Sequence, residues 1–251
     1  MCWKQNWICG IFDNEFRIKI VISLNKAKYR AGLEDSGSGM AFAVVDAADQ
    51  VIFDEYVPLS GRTTANLPQR MAEILEKYQM NFSDITEWSV GGGPGSFTGL
   101  RIASSFVLGL IYGKTDVRAR CVSTSAAIAA SAGCDAEKVL VLFDGRKKEL
   151  LAFGLARTEQ GYCEDGFQAV IRSAEDLQQI TEYTQIVAAA NDHIAAQDLL
   201  GEAFAGSIRK VEQVSALHLI TWNPEKFDRP LTDLLYLRPA VFVEPKVLRD
   251  I

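Results

Sequence analysis

Eleven residues, Gly91-Gly-Gly-Pro-Gly-Ser-Phe-Thr-Gly-Leu-Arg101, constrain this chain more than any others. Ile85 to Val90 reads as a short strand running into them. Leu100 to Tyr112, almost wholly apolar or small with Arg101 its one charge, reads as a mostly buried helix running out. A strand, a glycine turn and a helix N-terminus make a natural anion site, because free backbone N–H groups and the positive end of the helix dipole converge there. The two standard nucleotide fingerprints are nevertheless missing. A P-loop ends in Gly-Lys-Ser/Thr, whereas this segment ends Phe97-Thr-Gly-Leu100; a GxGxxG turn would not continue Pro94-Gly95-Ser96. The competing reading is a tight turn with positive φ, capped by Ser96 or Thr98, that binds nothing. Ala103, Ser104, Ser105 and Gly109 place small side chains along the helix, permitting close approach by another helix of the same chain or of a partner.

Around this segment, helix and strand patterns alternate. Met40 to Asp46 and Gln50 to Val57 form a β-hairpin joined at Ala47-Ala-Asp49. Thr64 to Tyr78 has helical spacing, with Leu67, Met71, Ile74 and Leu75 on one stripe and Pro68 tolerable in the first turn. Arg120 to Ser123 reads as a strand, Thr124 to Ala132 as an Ala-rich helix, and Val139 to Phe143 and Glu149 to Leu155 as strands. Beyond Tyr162 the signals weaken: helices over Ser173 to Ile180, Asp192 to Leu200 and Val214 to Trp222, and a strand over Gln185 to Ala188, are expected. No sequence repeat is visible. The expected division is an extension over 1–27, a first α/β unit over 28–117 and a second over 118–251 whose end returns to the first. The extension is either an added strand or an unstructured or misassigned start.

A net charge of −6 gives no global attraction to phosphate backbones. Arg146-Lys-Lys148 is one short basic patch and reads as a solvated turn. Five cysteines (Cys2, Cys9, Cys121, Cys134, Cys163) without a CxxC pair indicate neither a disulfide framework nor a zinc knuckle, and fit a reducing cytoplasm. Ile18 to Leu24 is too short to span a bilayer, so no membrane anchor is expected. His193 and His218 lie too far apart for an HxxxH metal pair, and Ser96 is not in a GxSxG elbow. No catalytic or metal-binding residue is assigned.

Gly93-Pro-Gly-Ser-Phe-Thr-Gly-Leu-Arg-Ile102 resembles the GPGSFTG[VL]RI signature of the TsaB (YeaZ) family. Gly32-Leu-Glu-Asp-Ser36, Cys121-Val-Ser-Thr-Ser125, Phe143-Asp-Gly-Arg146 with Glu149, and Leu235-Tyr-Leu-Arg-Pro239 follow in the family's order, so the resemblance spans about 30 to 240. It implies an α/β fold of the actin/Hsp70/sugar-kinase (ribonuclease H-like) type with two subdomains. It also implies a cytoplasmic, non-catalytic scaffold that pairs with TsaD and recruits the ATPase TsaE to make threonylcarbamoyladenosine on tRNA, homodimerising when TsaD is absent. ATP or ADP would enter only in the complex, and tRNA through the complex. The interface implied lies on the first two helices, at Leu67, Met71, Ile74, Thr98, Arg101, Ile102, Ala103, Ser105, Phe106 and Gly109. Thr63-Thr64 stands where the family has His-Ser/Thr, Asp35 where Thr is commoner, and the strand before Glu34 is less apolar than the pattern, leaving Ile18 to Leu24 as its substitute. The rival reading is a stand-alone actin-like phosphotransferase or ATPase, for which Glu34, Asp35, Gly93, Gly95, Ser96, Thr98 and Asp144 are the candidate phosphate or nucleotide contacts.

Overall fold

A computed structural model describes residues 29–37, 39–58 and 66–236; the extension over 1–27, Ile18 to Leu24 and Thr63-Thr64 lie outside them. In chain order the elements are β1 (Tyr29–Glu34), β2 (Gly39–Val45), β3 (Val51–Pro58), α1 (Leu67–Lys77), β4 (Ile85–Gly91), α2 (Phe97–Ile111), β5 (Arg118–Val122), α3 (Thr124–Ser131), β6 (Lys138–Asp144), β7 (Leu150–Thr158), β8 (Gly161–Ile171), α4 (Ala174–Gln178), β9 (Gln185–Ala189), α5 (Ala190–Leu200), α6 (Glu202–Ala205), β10 (Arg209–Val211) and α7 (Leu217–Thr221).

The strands form two five-stranded sheets, ordered β3-β2-β1-β4-β5 and β8-β7-β6-β9-β10. Adding five to every number of the first gives the second, and the directions agree: the first three strands of each half pair antiparallel, and the last two join parallel. The protein is therefore an actin-like α/β duplication, as the fold class required, although no repeat shows in the sequence. Parallel strands need a crossover helix; α1 and α2 supply it in the first half.

Five layers result. α1 and α2 cover the outer face of the first sheet, where Phe42, Phe53, Met71, Trp88 and Val107 pack together. Phe42 and Trp88 lie with their rings stacked 6.2 Å apart. α3 and α7 fill the space between the sheets: Ala127 packs with Ala41, Ala43, Leu219 and Ile220 on one side, while Ile128 and Ala129 pack with Val139 and Val141 on the other. This explains why α3 is Ala-rich. A helix pressed from both sides has room for little beyond a methyl group. The helices α4, α5 and α6 cover the far face of the second sheet, through Leu177, Ala196 and Phe204.

Several expectations are corrected. β1 is Tyr29–Glu34 itself, paired on both edges, and its half-buried Tyr29 and Arg30 account for its modest apolar content. Arg118–Val122, expected to open the second unit, closes the first sheet against β4. β8, β10 and α6 carried no readable signal. β8 is an edge strand whose outward Glu164, Asp165 and Gly166 are poor β formers, and it is held by pairing to β7. No helix among the described residues is long and apolar enough to cross a membrane.

Candidate functional site

The glycine segment leaves β4 at Gly91 and enters α2 at Phe97, with Ser96 as N-cap accepting the Gly99 N–H. Several of its backbone donors are committed. Gly92 N–H donates to the Val122 carbonyl (2.7 Å), Ser96 N–H to the Ser36 carbonyl (2.8 Å) and Gly93 N–H to Thr124 Oγ1 (3.1 Å). Pro94 has no N–H to give. Gly93 sits at φ 95°, where a side chain would also run into the Leu235 carbonyl, and a side chain at Gly99 would strike the Asp35 carbonyl. The glycines thus let the β1–β2 tip and the returning 231–236 segment press onto the loop.

That tip is internal. Glu34 and Asp35 are 2% and 3% exposed. One Glu34 oxygen accepts both the backbone N–H and the hydroxyl of Ser36, and the other accepts the Thr124 hydroxyl at 2.7 Å. Burial raises the Glu34 pKa against the opposing pull of these three bonds. Asp35 differs: neither carboxylate oxygen has a hydrogen-bond partner. Burial, and then the Glu34 charge, push its pKa up to about 7, with Arg70 of α1 opposing.

Between the halves lies a cleft of about 850 Å³. The first half contributes Glu34, Ser36, Ser96, Phe97, Thr98 and Arg101, and the second Asp144, Arg146, Asp192 and Glu212. Asp144 donates its backbone N–H to Asp192 Oδ1 (2.8 Å), and burial pushes the Asp192 carboxyl up to about 6. At the mouth, the Arg101 guanidinium stacks 3.8 Å from the Phe97 ring centroid and donates from Nε to the Tyr236 hydroxyl.

The candidate phosphate contacts therefore separate. Glu34, Gly95, Ser96, Thr98 and Asp144 line one cleft, whereas Asp35 and Gly93 are not part of its wall. The Gly93 and Ser96 amides and the Glu34 carboxyl are occupied by the chain's own groups. Among the described residues no group of three or more His, Cys, Asp or Glu could hold a metal ion. His193 is half-buried against the Ala205 carbonyl, and His218 half-buried beside Asp54.

The candidate interface residues also separate. Leu67, Met71 and Ala103 are corrected: each is at most 1% exposed and packs in the first half's own core. Ile74, Ile102 and Phe106 are half-buried against that core; Thr98, Arg101, Ser105 and Gly109 are exposed. The sequence reading missed Phe97 and Leu108 on α2 and Tyr112 at its C-cap, which are exposed apolar residues. Their spacing, 97-101-105-108-112, is an i, i+4, i+3 stripe that could have revealed them.

The family model for TsaD, tRNA N6-adenosine threonylcarbamoyltransferase, matches residues 60–216. The chain belongs to that family. Within it, the fold is that of YeaZ, matching the TsaB/YeaZ signature around the glycine segment. YeaZ from Pseudomonas aeruginosa superposes with a TM-score of 0.61 at 18% identity, over 78% of this chain and 90% of that one. A second Pseudomonas aeruginosa structure, described as an uncharacterized protein similar to peptidase YeaZ, gives 0.61 at 19% identity over 84% of this chain and 100% of that one. No curated protein matches the sequence.

Proposed function

We propose that this chain is a non-catalytic scaffold and activating subunit in the synthesis of threonylcarbamoyladenosine on tRNA, docking a TsaD protein on α2 and bringing TsaE to the complex. One observation carries the proposal: α2 and its C-cap present Phe97, Leu108 and Tyr112, 38%, 38% and 88% exposed, in line with Arg101 and Ser105. Apolar side chains at both ends and small ones at Ser105 and Gly109 suit close crossing by a partner helix. A second copy of α2 would meet the same face when TsaD is absent.

The engagement of the Gly92, Gly93 and Ser96 amides and of Glu34 by the chain's own groups favours this reading over a stand-alone phosphotransferase. Calorimetry of the isolated chain with ATP and Mg²⁺ separates the two: a flat trace is expected, and micromolar binding would favour the phosphotransferase. The docking test is Gly109→Glu, because a side chain there meets nothing within 4 Å and α2 should survive. Sedimentation with the TsaD protein of the same organism should show association weakened at least tenfold with an unchanged melting temperature. Full association by the variant would refute the docking face.

A further inference from the structure

The β6–β7 tip, Asp144 to Glu149, is the second-half counterpart of the buried β1–β2 tip, and its conformation is unusual. Arg146, Lys147 and Lys148 follow one another at φ 59°, 53° and 61°, and are three of the six described non-glycine residues in the left-handed region. The other three, Asp49, Gln79 and Asn223, stand singly. Glycine would sit at these angles without strain, so what the three long side chains add is charge and reach. All three are exposed.

Elsewhere eight of the fourteen described lysines and arginines are matched by anions. Arg30, Lys77, Arg118, Lys138, Arg172, Lys210, Lys226 and Arg229 each form an ion pair. No ion pair to Arg146, Lys147 or Lys148 occurs among the described residues. The acids nearest the tip are already engaged: Asp144 Oδ1 accepts the Arg146 N–H (2.7 Å), Asp192 accepts the Asp144 N–H, and Glu149 lies 3.5 Å from Arg172. Those contacts fix the base of the tip and leave three adjacent cations projecting from a chain of net charge −6.

We propose that the Arg146–Lys148 tip is a contact for the phosphate backbone of RNA, which, on the tRNA-modifying reading above, is the substrate tRNA. Of the three side chains only Arg146 lines the cleft; Lys147 and Lys148 stand outside it. A compact polyphosphate inside the cleft would meet Arg101 but only one cation of the tip, Arg146. An extended polyanion crossing the mouth meets all three cations of the tip. Such contacts position RNA without reading sequence.

The test replaces all three residues by glycine, Arg146→Gly, Lys147→Gly and Lys148→Gly, which removes charge while suiting the left-handed backbone. Its control is Lys147→Arg with Lys148→Arg. Binding of an unmodified tRNA transcript is titrated against salt on the complex with TsaD, and subunit association is measured in parallel. The glycine variant should bind tRNA at least tenfold more weakly, with the slope of log affinity against log salt shallower by roughly 2; the arginine control should match wild type. Unchanged affinity and slope in the glycine variant would overturn the proposal. So would ATP displacing tRNA from the wild type but not from the glycine variant, since that assigns the tip to a compact phosphate. If the subunits do not associate, the docking reading fails on its own, and the same titration on this chain alone decides the tip by the same two results.

Discussion

The two halves share one strand order yet treat equivalent places in opposite ways. In the first half the β1–β2 tip is tucked under the glycine loop, with Glu34, Asp35 and Ser36 all buried. In the second half the β6–β7 tip projects, with Arg146, Lys147 and Lys148 exposed. After β4 the chain makes a glycine loop before α2, whereas β9 passes straight into α5 at Ala189-Ala190. Edge strands differ likewise. Arg120 in β5 is 1% exposed and donates to the carbonyls of Leu219, Ile220, Trp222, Asn223 and Lys226, while Lys210 in β10 pairs only with exposed Glu212. Topology alone, then, does not decide where function can reside. The first half spends its loops on internal closure, and the second leaves its tip free for a ligand.

The sharpest way to break this contrast is at the edge strands. Arg120→Met removes a buried donor shared by five carbonyls, of which those of Leu219 and Ile220 are buried, and should cost about 3–5 kcal/mol, whereas Lys210→Met should cost under about 0.5 kcal/mol. Equal denaturation midpoints for the two variants would refute the assigned asymmetry. At the tips, Gly99→Ala drives a methyl into the Asp35 carbonyl and should cost about 2–3 kcal/mol. Gly145→Ala meets the Glu149 carbonyl at 3.0 Å and should cost less than about 1 kcal/mol. Thermal melts of the pair give the comparison directly.

The smallest effect is one of pH. Asp35 keeps its proton up to about 7 in the folded chain but loses it near 4 when unfolded. The folded state therefore holds more protons between those values, and stability falls as pH rises through that window. Glu34 and Asp192 are shifted in the same direction. Wild type should lose on the order of 1–2 kcal/mol between pH 5 and pH 7.5, and Asp35→Asn should flatten part of that loss. A wild-type stability that rises over this interval would contradict the buried, unpartnered carboxyl.

The fold was most legible where period and burial agree. The hairpin of β2 and β3, helices α1, α2 and α3, and strands β4, β6 and β7 all emerged within a few residues of their bounds. β1 was obscured because Tyr29 and Arg30 face partly outward, and β8 because its acidic edge carries little apolar pattern. The site was only partly legible. Spacing grouped Leu67, Met71 and Ala103 with the interface because a helix stripe does not say which side its own sheet occupies. Nor could a glycine-rich turn disclose that its amides are used by Val122, Ser36 and Thr124, residues brought near only by the complete fold. The left-handed backbone at Arg146 to Lys148 leaves no mark on composition at all.

The closing segment also constrains the order in which the molecule can mature. The segment after α7 seats Arg229 on Cys121, Leu231 on Ser104 and Leu235 on Gly92, contacts that span more than a hundred positions along the chain. On the ribosome, the first sheet emerges long before the residues that close its edge and cover its glycine loop. Its final packing must therefore wait for the second half, so the two halves mature as one cooperative unit and neither is a natural cut point for expression on its own.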